Sequence, residues 1–216
     1  MKEKYSTQIA RFDSKNAFLE VLNSAFSIGK VQINFCAYDE VTKTQTKKLP
    51  IYVDVPKMLA LCNNILNGRF QRMVMEAKKT GTFNGMSVND YTSFYVDMGG
   101  IHEEGVRRKF DEYKKAYPWV QEGKGISRQF KIQAGRSAAW ILRAEYGLGV
   151  SNEKRLIVPS GKAPDYINIP MTEDSLQELA IVFLTHYNAY LSQYYNKFGD
   201  KLFAGDKCNV FVPTSK

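Results

Sequence analysis

Two five-residue segments with nearly the same pattern constrain this chain more than any other feature. Residues 52–56 read YVDVP, and residues 166–170 read YINIP. In both, an aromatic or polar residue alternates with a β-branched one, so one side of a strand is apolar and the other can face solvent. Each segment ends in a proline, which cannot continue a strand ladder but suits a strand-to-helix turn. Unless the match is a coincidence, the chain contains two related strand-to-helix units.

A helical pattern follows each segment, because apolar residues recur there at steps of three or four. The first helix is predicted to end before Gly81, and its stripe is Leu59, Cys62, Leu66, Phe70 and Met73. The second is predicted to begin near the N-cap candidate Thr172 and to end near Gly199. Its stripe includes Leu176, Leu179, Phe183, Tyr187, Tyr190 and Tyr194.

Alternating patterns typical of strands precede both segments, at residues 31–37, 130–134 and 140–146, and Gly147 and Gly149 are predicted to form a turn. The predicted fold class is therefore α+β, with two antiparallel-sheet-plus-helix units packed as a pseudo-dimer in one globular body. The units cover residues 1–80 and 127–216. Residues 81–126 are predicted to connect them, with a helix over 102–117 and a strand over 91–98 that could join the second sheet.

The charge of the chain favours a polyanionic partner. Thirty lysines and arginines against 22 acidic residues give a formal net charge of +8, and cations that neutralise phosphates release bound counterions. Three scattered cysteines predict neither a disulfide framework nor a clustered metal site. The absence of a long apolar run and of a signal-like N-terminus predicts a cytoplasmic protein without a membrane partner.

The sequence lacks the common catalytic motifs. His102-Glu103-Glu104-Gly105 has no second histidine one helical turn on, and neither a phosphate-binding GxxxxGK[ST] loop nor a GxSxG elbow is present. We therefore expect no enzymatic activity, no cofactor and no metal. One alternative stays open: the carboxylates of Asp90, Asp97, Glu103 and Glu104 could converge as a metal-dependent nuclease site.

The second half resembles the transcriptional-coactivator and Whirly superfamily of single-stranded-nucleic-acid-binding proteins. The likeness lies in residues 139–179, where a strand with Trp140 and Arg143, a basic turn and a short strand lead into YINIPMTEDSLQEL. The first half matches only through YVDVP and its helix. The resemblance implies curved four-stranded antiparallel sheets, each followed by a helix, with the helices pairing and the sheets binding the strand.

The candidate binding residues are cations, their polar neighbours and two tyrosines on which bases could stack. In the first unit they are Lys30, Gln32, Asn34, Tyr38, Lys47, Lys48 and Tyr52; in the second they are Arg128, Lys131, Arg136, Arg143, Arg155, Lys162 and Tyr166. The resemblance implies that Lys131, Arg143 and Arg155 lie on the exposed sheet face. Alternation independently places them opposite Phe130, Leu142 and Leu156. The structural alternatives are solvated cations without a ligand and tyrosines that pack beneath a loop.

The sequence thus predicts a sequence-tolerant binder of single-stranded DNA or RNA, with DNA favoured, from a bacterial genome or mobile element. Protein partners in a replication, recombination or transcription complex are expected, and self-association is left open. The alternative is a phage-type protein-interaction or inhibitor module that acts on a nucleic-acid-handling complex.

Overall fold

The first half of the chain forms an antiparallel sheet followed by two helices. The computed structural model describes residues 7–89, 92–136 and 138–203. The first sheet has the strand order β1-β2-β3-β4. Its elements are β1 (Gln8–Asp13), β2 (Ala17–Leu22), a 3-10 turn (Phe26–Ile28), β3 (Lys30–Tyr38) and β4 (Gln45–Asp54). The helices are α1 (Val55–Leu66) and α2 (Arg69–Thr80), and the short hairpin β5 (Thr82–Phe83) and β6 (Met86–Ser87) follows.

The second half repeats the order of sheet and then helix. Its elements are β7 (Ser93–Ile101), α3 (Glu103–Arg108), α4 (Phe110–Ala116), β8 (Gly125–Ala134), β9 (Trp140–Ser151), β10 (Ile157–Pro159), β11 (Asp165–Met171) and α5 (Glu173–Phe203). The second sheet runs β7-β8-β9, and both β10 and β11 pair with β9. β11 pairs along residues 140–146 of β9 and β10 along residues 149–151, so these two short strands share the last position of the sheet.

One core joins the two halves. The inner faces of the sheets meet where the ring of Phe35 packs on Phe130, with centroids 5.9 Å apart. The ring of Phe26 contacts Tyr187 of α5 at 5.3 Å, and Phe70 of α2 contacts Trp140 of the second sheet at 5.9 Å. The helices that follow each sheet therefore also pack against the other half. The α+β class is confirmed, whereas the packing of the two units as a pseudo-dimer stays a prediction.

The predicted connecting segment is only partly a connector. β7 and the first residues of β8 belong to the second sheet, so this sheet begins well before residue 127. The predicted helix over 102–117 is divided into α3 and α4 at Lys109.

The helix predicted after YVDVP is divided as well. α1 ends at Leu66 and α2 begins at Arg69, with Gly68 between them at φ 69°. This left-handed backbone conformation favours glycine, so Gly68 lets the chain turn between two helices. The last helix, in contrast, continues past the predicted end at Gly199 to Phe203. None of the helices in the described ranges is both long enough and apolar enough to cross a membrane.

The turn predicted at Gly147 and Gly149 was wrong, because both glycines lie within β9. A Cβ atom at residue 149 would lie 2.6 Å from Ile157 Cγ2 and 2.9 Å from the Ser127 nitrogen. Glycine is thus required at residue 149 by the close approach of β10 and not by a turn.

Gly149→Ala should therefore lower the free energy of unfolding by about 1–3 kcal/mol, because the added methyl group overpacks the sheet. Urea denaturation measures the loss. Gly99→Ala is the matched control, since a Cβ at residue 99 has no atom within 4 Å. Equal stabilities of the two variants would contradict this account of the strand.

Candidate nucleic-acid interface

Both repeated segments lie on the last strand of their sheets, but their prolines differ. Pro56 lies in the first turn of α1 as expected, whereas the predicted strand end at Pro170 was wrong, because this proline lies within the edge strand β11 opposite Ile141. On the side of the first sheet that faces away from the core, its outer face, Tyr52 lies opposite Gln32 and Asp54 opposite Lys30. On the outer face of the second sheet, Tyr166 lies opposite Glu145 and Asn168 opposite Arg143. Each tyrosine therefore stands on the last strand, two residues from a side chain that contacts a cation. Both rings are accessible, with Tyr52 41% and Tyr166 51% exposed.

A carboxylate organises the cations of the second outer face. Glu145 accepts hydrogen bonds from Lys131 Nζ at 2.6 Å and from Arg143 Nε at 2.5 Å. Arg143 Nη1 also donates to Asn168 Oδ1 at 3.0 Å, and the guanidinium lies 4.0 Å from the centre of the Tyr166 ring. The Arg143 side chain is only 17% exposed. This arrangement holds the tyrosine and the cation in a fixed relative position.

The ionisation of Glu145 is favoured by these partners. Burial opposes its charge, but hydrogen bonds and attraction from Lys131 and Arg143 outweigh burial, so its pKa is lowered from the ordinary value. At neutral pH the strand residues of this face therefore carry two cations, Lys131 and Arg143, and one carboxylate, Glu145. Their charges leave an excess of one positive charge.

The first outer face has the same kind of carboxylate centre. Glu20 accepts a hydrogen bond from Asn34 Nδ2 at 2.7 Å and lies 3.6 Å from Lys48 Nζ. Gln32 donates in turn to Asn34 Oδ1 at 2.9 Å. Lys30 Nζ lies 2.5 Å from Asp54 Oδ1. Gln32, Asn34 and Lys48 are thus connected through Glu20, whereas Lys30 forms a separate pair with Asp54.

The predicted site residues do not include the carboxylates Glu20 and Glu145, and they do not include Arg11. Arg11 lies on the first outer face, with its guanidinium 3.8 Å from the centre of the Phe18 ring and 2.7 Å from Asp13. Alternation along β1 could have placed Arg11 there. The strand residues of this face thus carry three cations, Lys30, Lys48 and Arg11, against three carboxylates, Glu20, Asp54 and Asp13. The expected excess of positive charge is absent from the strands of the first face as they are described.

Three predicted residues are held by structural contacts, and two of them, Lys47 and Arg128, point away from the outer faces. Lys47 points towards the second half and pairs with Asp165, which also accepts a hydrogen bond from Trp119 Nε1 at 2.6 Å. Arg128 lies on the inner side of β8, 5.0 Å from the Tyr146 ring. Tyr38 donates its hydroxyl to the main-chain oxygens of residues 14 and 15 at the end of the sheet.

Three more predicted residues lie in loops. Arg136 is in the β8–β9 turn, Arg155 in the β9–β10 turn and Lys162 in the β10–β11 loop, and all three are exposed. The prediction that Arg155 lies on a strand opposite a buried Leu156 was wrong. Arg155 has the left-handed φ of 58°, and Leu156 is 59% exposed.

The carboxylates considered for a nuclease site do not converge where the structure describes them. Asp97 pairs with Lys57 at 2.6 Å, Glu103 accepts a hydrogen bond from Ser151 Oγ at 2.8 Å, and Glu104 pairs with Arg107 at 2.8 Å. Asp90 lies outside the described residues. Within the described ranges, no group of three or more histidines, cysteines and acidic residues is arranged to hold a metal.

Comparison with protein-family models, curated proteins and solved structures finds no match to this chain. The resemblance to the Whirly-type superfamily therefore stays a prediction.

Lys47→Ala should lower the free energy of unfolding by about 1 kcal/mol, because Asp165 is largely buried and loses its cationic partner. Lys162→Ala, which removes an exposed lysine from the adjoining loop, is the control. Urea denaturation of both variants compares them. An equal effect of the two substitutions would show that the Lys47 pair contributes nothing to the fold.

Proposed function

We propose that this protein binds single-stranded nucleic acid, with little sequence preference, on the outer faces of its two sheets. The observation that carries the proposal is the equivalent placement of Tyr52 and Tyr166. Each ring is exposed on the last strand of an antiparallel sheet, beside a side chain that contacts Lys30 or Arg143. Bases can stack on such rings whatever their identity, because every base has a π face.

The polar groups around the rings suit the backbone and the base edges of a strand. Gln32 and Asn168 offer amide groups. Lys30 and Arg143 offer charged donors, and each belongs to the cross-strand pair that is next to the pair of a tyrosine on the same face. The hydrogen bonds within each face fix these groups before a ligand arrives, which reduces the ordering cost of binding.

Charge pairing on the faces limits the electrostatic part of the affinity. The strand cations of the first face are balanced by carboxylates, so we expect stacking to contribute more there than phosphate attraction. Exposed cations of the loops, such as Arg136 and Lys162, add the positive field that attracts a strand. We propose DNA as the favoured ligand, a cytoplasmic location, and partners in replication, recombination or transcription.

The charge balance on the first face favours a second candidate, a protein-interaction or inhibitor module that acts on a nucleic-acid-handling complex. A sheet without excess positive charge attracts phosphates weakly and can instead contact another protein. The A260/A280 ratio of the purified protein before and after a high-salt wash separates the two candidates. A fall in the ratio favours nucleic-acid binding, whereas a ratio typical of protein throughout favours the interaction module.

Tyr52→Ala and Tyr166→Ala should each weaken binding of a thymidine oligonucleotide by about 1–3 kcal/mol, the contribution of one stacked base. Fluorescence anisotropy at low salt measures the affinity. Tyr195→Ala is the matched control, since this tyrosine is 42% exposed and lies on the helix α5 instead of on a strand. The proposal fails if the wild type does not bind, or if the sheet variants bind as tightly as the control.

Glu145→Gln should tighten binding several-fold, because it frees Lys131 and Arg143 from a carboxylate while keeping an amide oxygen that can accept one hydrogen bond. It also makes residue 145 resemble Gln32, its counterpart in the first sheet. Glu122→Gln adds the same charge in an exposed loop and serves as the control. Tightening that is equal in both variants would mean that the second outer face is not the binding surface.

A further inference from the structure

A groove separates the end of the first sheet from the edge of the second. It consists of two adjoining cavities of about 610 and 490 Å³, which share Lys57, Asp97, Met98 and Leu156 among their lining residues. The wall from the first half is formed by the start of α1 and by Tyr52. The wall from the second half is formed by β7 and the β9–β10 turn. The groove therefore begins at one of the two tyrosines proposed to stack on bases.

The cations of this groove differ in how they are paired. Lys57 is held by Asp97 at 2.6 Å and by Asp54 at 3.7 Å. Arg155 lines the larger cavity and Arg128 lines the smaller one, and within the described residues neither side chain has a carboxylate partner. Arg128 Nε is moreover buried without a hydrogen-bond acceptor. Because no carboxylate in the described part of the chain pairs with these two guanidinium groups, the groove favours an anionic ligand.

Apolar surface accompanies these cations. Met98 is 53% exposed and Leu156 is 59% exposed, and both border the groove. Large apolar side chains left at a groove often mark a binding site. A flat ring between Leu156 and Tyr52 would cover this surface, and a base is such a ring.

We propose that the groove binds one nucleotide unit of the strand, with its phosphate at Arg155 and its base against Leu156 and Met98, while Arg128 adds positive charge from the smaller cavity. This inference rests on the proposed function and adds a route by which a strand leaves the first outer face at Tyr52. The cations of the groove match the phosphate of a nucleotide, and its apolar side chains match the base. A purely anionic ligand would leave the apolar side chains uncovered.

Arg155→Glu and Lys154→Glu test the proposal as a pair, because they make the same charge change at adjacent exposed residues of one turn, and only Arg155 lines the groove. Affinity for a thymidine oligonucleotide of about 20 nucleotides is measured by anisotropy over a range of salt concentrations. Arg155→Glu should weaken binding at least tenfold more than Lys154→Glu. It should also reduce the slope of log affinity against log salt by about 0.7, the value for one lost contact to a single strand.

Leu156→Ser tests the base contact separately and should weaken binding several-fold with no change in the salt slope. Circular dichroism melting of each variant confirms that the fold is kept. If the wild type binds but Arg155→Glu and Lys154→Glu have equal affinities and slopes, the groove assignment is wrong and the sheet-face function stands. If the wild type binds no single strand at low salt, the proposed function fails, and the groove assignment fails with it.

Discussion

The packing of the two inner sheet faces decides which side chains this protein can offer to a partner. Phe35 and Phe130 meet at the centre of that contact. Because side chains alternate along a strand, burying one set places the neighbouring set on the outer faces. Tyr52 and Tyr166 are exposed for this reason, and a slip of one residue in β4 or β11 would turn them into the core.

Much of this arrangement could be predicted from local patterns. Alternation identified most of the strands, and the apolar stripes identified α5 and the helical region that the structure divides into α1 and α2. Features that depend on neighbouring strands could not be read in this way. A glycine in a turn and a glycine beneath a close strand look alike in sequence, so Gly149 was misassigned. Whether β7 joins the second sheet was left open for a similar reason, since its partner β8 lies beyond two helices in the chain.

Only part of the candidate site was predictable in position, and its electrostatics were not predictable. Lys131 and Arg143 lie on the outer face as expected, but the sequence does not reveal that Glu145 pairs with both, because such pairs depend on strand register. Lys47 and Arg128 point inward because they stand one residue out of phase with the outer set. We therefore expect binding to depend less on a broad basic surface than the sequence indicated. It should depend more on the two exposed rings, the ordered polar groups beside them, and the cations of the loops and the groove.

The most direct test of the central claim is to locate the bound strand on the protein. A single-stranded oligonucleotide carrying bromouracil is cross-linked to the protein by ultraviolet light, and the modified peptides are identified by mass spectrometry. The account predicts adducts in the peptides that contain Tyr52 and Tyr166. Efficient cross-linking confined to peptides outside both outer faces and the groove would contradict it.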